Sequence, residues 1–238
     1  MSKELTAKNE QDALAAWSAL NNTPARTSTN MIRLDNSPFA DEEKNPEYGK
    51  LFAYYDDENG TPHKEEIPYG SEFKFIAAYV KPKCTDYTDG KAAFWANEVS
   101  NLQKDVITLT GPDKEVIAEG LWADLKARPD IKYSENVYVQ YKERVFRWNL
   151  TGAHFDSWFG VKNSMKTPHT FIATGTQDEK KGTNSYKSLI FKLGEPYSAV
   201  EAMKMRSELD TLIKGPASPA IEAPKDKTEE MPWEEVGK

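Results

Sequence analysis

The stretch that decides the fold is Asn136–Leu150, NVYVQYKERVFRWNL. Two runs rich in β-branched and aromatic residues, NVYVQY and RVFRWNL, are separated only by Lys142 and Glu143. Such runs joined by two residues predict an antiparallel hairpin. Side chains on a strand alternate between faces. Tyr138, Gln140 and Lys142 therefore share one face of the first run, opposite Val137, Val139 and Tyr141. In the second run Arg144, Phe146, Trp148 and Leu150 share a face, and Val145, Arg147 and Asn149 take the other. Either Phe146 and Trp148 enter the core while Arg147 looks outward, or the reverse. Burying Arg144 is costly, so the first arrangement requires it to sit at a strand end.

Working outward, the β signal extends from Met31 to Leu193. GKLFAYYDD runs into a turn at Asn59-Gly60, two residues that tolerate positive φ. SEFKFIAAYV alternates, with Phe73, Phe75, Ala77 and Tyr79 on one side. DVITLTGPDKEVIAE places two β-branched runs around a Gly-Pro-Asp turn. HTFIATGT and SYKSLIFKL flank the polar stretch QDEKKGTN, which reads as a basic loop. GLWADLKARPD and AHFDSWFGVKN read as helical turns between strands. Seven or eight short strands separated by polar loops predict a mainly β barrel, with a β-sandwich as the alternative. On this reading Trp95, Trp122 and Trp158 belong to the core.

Four segments follow. Residues 1–30 form an arm with a short amphipathic helix around Trp17 and a polar linker, and residues 31–193 the β domain. Residues 194–214 form a helix with Ser198 as N-cap, Glu201 completing a capping box, and Val200, Met203, Leu209, Leu212 and Ile213 along one face. Residues 215–238 have the Pro/Ala/Lys/Glu composition of a disordered tail. The Trp17 arm could dock on its own domain or on a second copy, which leaves a homo-oligomer open.

The chain has 238 residues, one cysteine and a net charge of −7. A single cysteine excludes an internal disulfide and a cysteine-rich zinc site. No apolar run suits a signal peptide or a membrane span, so the expectation is a cytoplasmic protein, in the host cytoplasm if viral, with no membrane partner. The acidity is uneven. Residues 31–130 carry 12 Lys/Arg against 20 Asp/Glu, whereas residues 131–193 carry 10 against 5. A basic block between acidic flanks suits an anionic partner.

His63, His154 and His169 share no ligand spacing, Cys84 has no neighbouring partner, and no P-loop or serine elbow exists. The reading is therefore non-catalytic, without metal or cofactor. Aromatic residues interleaved with cations suit stacking of bases and neutralisation of phosphates. The candidates are Tyr79 with Lys81 and Lys83, Tyr138 with Lys142, Arg144, Phe146 and Trp148 with Arg147, and Tyr186 with Lys180, Lys181 and Lys187. In the tail, EEMPWEE sets Trp233 behind Met231 and Pro232, between Glu229, Glu230, Glu234 and Glu235. This is an apolar anchor with acidic flanks, suited to a basic groove on a partner protein.

A β-rich domain, a helix, a Pro/Ala/Lys linker and an acidic tip with an aromatic together resemble the single-stranded-DNA-binding proteins of bacteria and bacteriophages. The resemblance lies in the layout and in EEMPWEE. It implies an elaborated OB-fold-like barrel that coats exposed single strands without regard to sequence. It also implies a tail that recruits DNA replication, recombination and repair proteins. Two other classes remain open: a protein–protein adaptor or virion structural protein, and a metal-dependent enzyme acting on nucleic acid.

Overall fold

The structure, a computed structural model, describes residues 30–36, 45–88, 91–182 and 184–214. The N-terminal arm with Trp17 and the tail with Glu229, Glu230, Met231, Pro232, Trp233, Glu234 and Glu235 lie outside the described residues.

In chain order the strands begin with β1 (Met31–Leu34), β2 (Leu51–Asp56), β3 (Pro62–Ile67) and β4 (Glu72–Val80). Short strands follow: β5 (Lys83–Cys84), β6 (Tyr87–Thr88), β7 (Lys91–Ala92) and β8 (Trp95–Ala96). Next come β9 (Ile107–Thr110), β10 (Val116–Gly120), helix α1 (Trp122–Leu125) and β11 (Ile131–Lys132). The chain then forms β12 (Ser134–Tyr141), β13 (Arg144–Thr151), α2 (Ala153–Ser164), β14 (His169–Lys181), β15 (Asn184–Pro196) and α3 (Ala199–Lys214). The fold is mainly β, as expected, and is built on a curled eight-stranded half-barrel in the order β15-β14-β4-β12-β13-β1-β2-β3.

The predicted hairpin is β12–β13, paired from Ser134↔Thr151 to Tyr141↔Arg144. Its two-residue turn has φ of 47° at Lys142 and 61° at Glu143. Both central residues at positive φ match the turn twist to the strand twist. The Asn59-Gly60 turn also forms, with Gly60 at φ 77°. Asp57 Oδ1 there accepts the amides of Asn59 at 2.8 Å and Thr61 at 2.9 Å. Led by the Thr61 amide and then by the His63 ring at 3.1 Å, the bonds to its carboxylate lower the Asp57 pKa to about 2. β1 enters parallel to β13, with Met31 beside Arg147 and Ile32 beside Trp148.

Two expectations are corrected. The stretch QDEKKGTN is not a loop: β14 and β15 stay paired out to Lys181↔Asn184, and Gly182 turns the tip at φ 62°. PHKEEI, which lacks apolar alternation, forms the edge strand β3 by pairing with β2, with only Ile67 buried. In α3, Val200 is exposed, and the buried face carries Ala199, Ala202, Met205, Arg206 and Leu209. Ser198 Oγ does accept the Val200 amide at 3.1 Å, while Glu201 pairs with Lys74 on β4.

The concave face of the sheet holds the main core, in which Phe73, Trp148, Phe171 and Phe191 pack with Trp158 from α2. Each such ring contributes about 1.5–3 kcal/mol by leaving water. A second cluster on the other face joins Ile76, Ala77, Tyr79, Tyr138 and Val145 to Met205 and Leu209 of α3. A third, built from Cys84, Phe94, Ala96, Val99, Ile107, Leu109, Leu125 and Ile131, holds the three-stranded sheet β10-β9-β8 against β5, β11 and α1.

β15 is a sheet edge, and unpaired edge amides invite further strands. Its outward amides are taken by side chains. Asn36 Oδ1 accepts from Lys187 at 2.8 Å, His154 Nδ1 from Leu189 at 3.1 Å, and Ser157 Oγ from Phe191 at 2.9 Å.

Candidate nucleic-acid interface

Three hollows meet at the seam between the half-barrel and the third cluster, and Lys83 lines all of them. The first, of about 510 Å³, has walls that include Pro82, Tyr87, Phe94, Trp95 and Pro112, with Ser134 and Asn149 among its polar groups. The second, of about 370 Å³, runs beside Arg33, Arg147 and Asn149. The third, of about 560 Å³, is bordered by Lys132, His154, Lys181 and Tyr186. Together they form a branched groove.

Its charge is one-sided. Arg33, Lys81, Lys83, Lys132, Arg147 and Lys181 line it, and no Asp or Glu does among the described residues. Lys81 lies 3.8 Å from Glu98. The other five cations have no ion pair among the described residues. Lys83 and Lys132 stand directly opposite each other where β5 and β11 pair. Like charges facing across a ladder destabilise it, and a bound anion would relieve that repulsion.

Aromatic surface accompanies the charge. Trp95 is 53% exposed and Tyr87 51% exposed, unusually high for rings of this size in a folded domain. Trp95 was expected in the core. Instead Phe94, just before β8, is buried, and Trp95, the first residue of β8, is turned outward. Trp95 stands beside Thr110 on β9, which carries Val116 of β10 on its other side.

Of the residues expected to bind, Lys81, Lys83, Arg147, Lys181 and Tyr186 line the groove, and Trp148 borders the second hollow while remaining almost wholly buried. Tyr79, Tyr138, Phe146 and Trp148 do not present rings to a ligand, because each is 2% exposed or less. Phe146 and Trp148 fill the main core, and Tyr79 and Tyr138 lie beneath α3. Lys142 and Arg144 lie outside the groove linings, at the hairpin turn. Lys142 pairs with Glu65, and Arg144 sits at the strand end with its guanidinium 4.5 Å from the centre of the Tyr55 ring. Lys187 pairs with Asp178 at 2.8 Å, and Lys180, though exposed, is not in the lining. Trp158 is core as expected, and Trp122 is half-buried against Tyr133.

A buried polar ladder underlies the floor. Glu98 is almost wholly enclosed and accepts bonds from Asn136 Nδ2 at 2.6 Å and from the Tyr138 hydroxyl at 3.0 Å. Burial pushes its pKa up, while Asn136, Lys81 and Tyr138 oppose that shift. Burial also lowers the Lys81 pKa, opposed by Glu98. Asn149 Nδ2 in turn donates to Asn136 Oδ1 at 2.8 Å and to Ser134 Oγ at 3.3 Å. His154, at the junction of two hollows, uses Nδ1 to accept the Leu189 amide, so its neutral ring carries the proton on Nε2. Burial lowers its pKa.

Arg33, Tyr87, Trp95, Lys132, Asn149 and His154 were not anticipated at the site. The described residues hold no cluster of three or more His, Cys, Asp or Glu suited to a metal, and no helix long and apolar enough to cross a membrane. No family model, curated protein or solved structure matches the chain.

Proposed function

We propose that the groove binds single-stranded nucleic acid, and that the protein coats exposed DNA strands without regard to sequence. The observation that carries this reading is a groove in an acidic chain that, among the described residues, has no acid in its lining and five cations without an ion pair, beside the exposed rings of Trp95 and Tyr87. Bases stack on such rings and phosphates follow the cations. Duplex DNA hides the ring faces of its bases, so exposed rings favour an unstacked strand. In this reading the acidic tip around Trp233 recruits replication, recombination and repair proteins. Its glutamates cover the groove when no DNA is present and so compete with an incoming strand.

The test is intrinsic tryptophan fluorescence of the full chain titrated with oligo-dT at several salt concentrations. Binding is expected to quench Trp95. Each phosphate neutralised on a single strand contributes ~0.7 to the slope of log K against log salt, so five predict a slope of about −3.5. Deleting Thr228–Lys238 is expected to tighten binding at low salt. Absence of quenching and of any gel shift at low salt would reject the reading in favour of a protein-binding surface.

A further inference from the structure

We infer that Asn149 reads a base within the groove, accepting a hydrogen bond from an N–H on the base's Watson–Crick edge; this rests on the reading that the groove holds a strand. The orientation of the Asn149 amide is set by its neighbours. Glu98, with Asn136 Nδ2, the Tyr138 hydroxyl and Lys81 all directed at its carboxyl group, acts as an acceptor. Asn136 therefore turns its Nδ2 to Glu98 and its Oδ1 to Asn149. Ser134 is also committed: its hydroxyl donates to the Lys81 carbonyl, so towards Asn149 it accepts. Both neighbours of the Asn149 amide are acceptors, and both take Nδ2. Oδ1 is left without a partner among the described residues, on an exposed side chain that lines the first and second hollows.

A lone acceptor is out of place in a groove meant only for phosphates, because phosphate oxygens repel it. The donors of a DNA strand are the N–H groups on its base edges. The first hollow offers such an edge a place, with apolar walls at Trp95, Tyr87 and Phe94 for the ring and Asn149 for its polar rim. The buried ladder holds the acceptor in position, so its direction is fixed before a strand arrives. Every base carries an N–H on its Watson–Crick edge, so Asn149 is on this account a base-edge contact that adds affinity while the groove stays sequence-tolerant.

The experiment compares oligo-dT with an oligonucleotide of the same length built from 3-methylthymidine. The methyl group removes the only edge N–H of thymine and leaves the backbone charge and the ring face. One net hydrogen bond corresponds to about threefold to tenfold weaker binding of the methylated strand by the intact protein. Asn149→Ala is expected to weaken oligo-dT binding to that same level and to leave the methylated strand unaffected. Glu98→Gln removes the obligatory acceptor at the root of the ladder, and is expected to shrink the difference between the two strands. Equal binding of both strands by the unmodified protein overturns the inference while leaving strand binding intact. So does an Asn149→Ala protein that keeps its oligo-dT affinity and gains affinity for the methylated strand, since that outcome reports only a steric clash. Failure of both strands to bind rejects the groove reading itself. Should Asn149→Ala not fold, the two-strand comparison on the unmodified protein decides alone.

Discussion

Two regions of the molecule carry many cations and use them differently. At the β2–β3 end, Lys50 lies 3.1 Å from Glu66, Lys64 pairs with Glu47, and Lys142 pairs with Glu65. Arg144, also there, covers the Tyr55 ring. In the groove, Arg33, Lys83, Lys132, Arg147 and Lys181 have no acidic neighbour in the lining among the described residues. The first region is internally neutralised and exerts little pull on an anion. The second keeps its field, and sets two lysines against each other to do so. Counting Lys and Arg along the chain cannot separate the two cases. Their pairing does.

The largest expected difference between core and groove concerns stability. Trp148→Ala empties a site in the main core and is expected to cost about 3–5 kcal/mol in urea unfolding, whereas Trp95→Ala should leave the unfolding midpoint nearly unchanged. In strand binding the ranking reverses. Trp95→Ala is expected to lose about 1–3 kcal/mol of affinity for oligo-dT, roughly a fivefold to 150-fold change, together with most of the fluorescence quenching. Lys83→Ala and Lys132→Ala should each reduce the magnitude of the salt slope by ~0.7, and Lys142→Ala should leave it unchanged. Because Lys83 and Lys132 repel one another, either substitution is expected to leave the melting temperature of the free protein unchanged or raised.

The smallest effect is a pH dependence at His154. Its pKa in the folded protein lies below the ordinary histidine value of about 6.5, because burial disfavours the charged ring more than nearby Glu179 favours it. The unfolded chain then binds the proton more readily. Stability is therefore full above about pH 6.5 and falls as the pH drops below it. His154→Gln, which offers no titrating ring beside β15, is expected to flatten that part of the profile in urea titrations run between pH 7.5 and 5.5.

The β hairpin at Asn136–Leu150 was legible because strand alternation and a two-residue turn are local signals. Alternation also left the choice of face open, and it was decided by tertiary packing: Phe146 and Trp148 fill the main core while Arg147 borders the groove. The site was legible only in part. Its cations come from β1, β5, β11, β13 and β14, strands brought together by the parallel β1–β13 pairing and the short β5–β11 ladder. Neither pairing has a signature in local periodicity. Trp95 sits in a strand of two residues, too short for a pattern to show whether it or Phe94 turns inward. Glu98 and Asn136 look like surface residues by type, and only their burial reveals the ladder beneath Asn149.

The most direct measurement is photo-crosslinking of the full chain to oligonucleotides carrying 5-iodouracil, with the attached peptides mapped by mass spectrometry. Binding through the groove predicts crosslinks at Trp95, Tyr87 and Tyr186. Crosslinks concentrated at Tyr55 and the β2–β3 end, or none in the presence of demonstrable binding, would contradict the assignment of the unpaired cations as the strand's path.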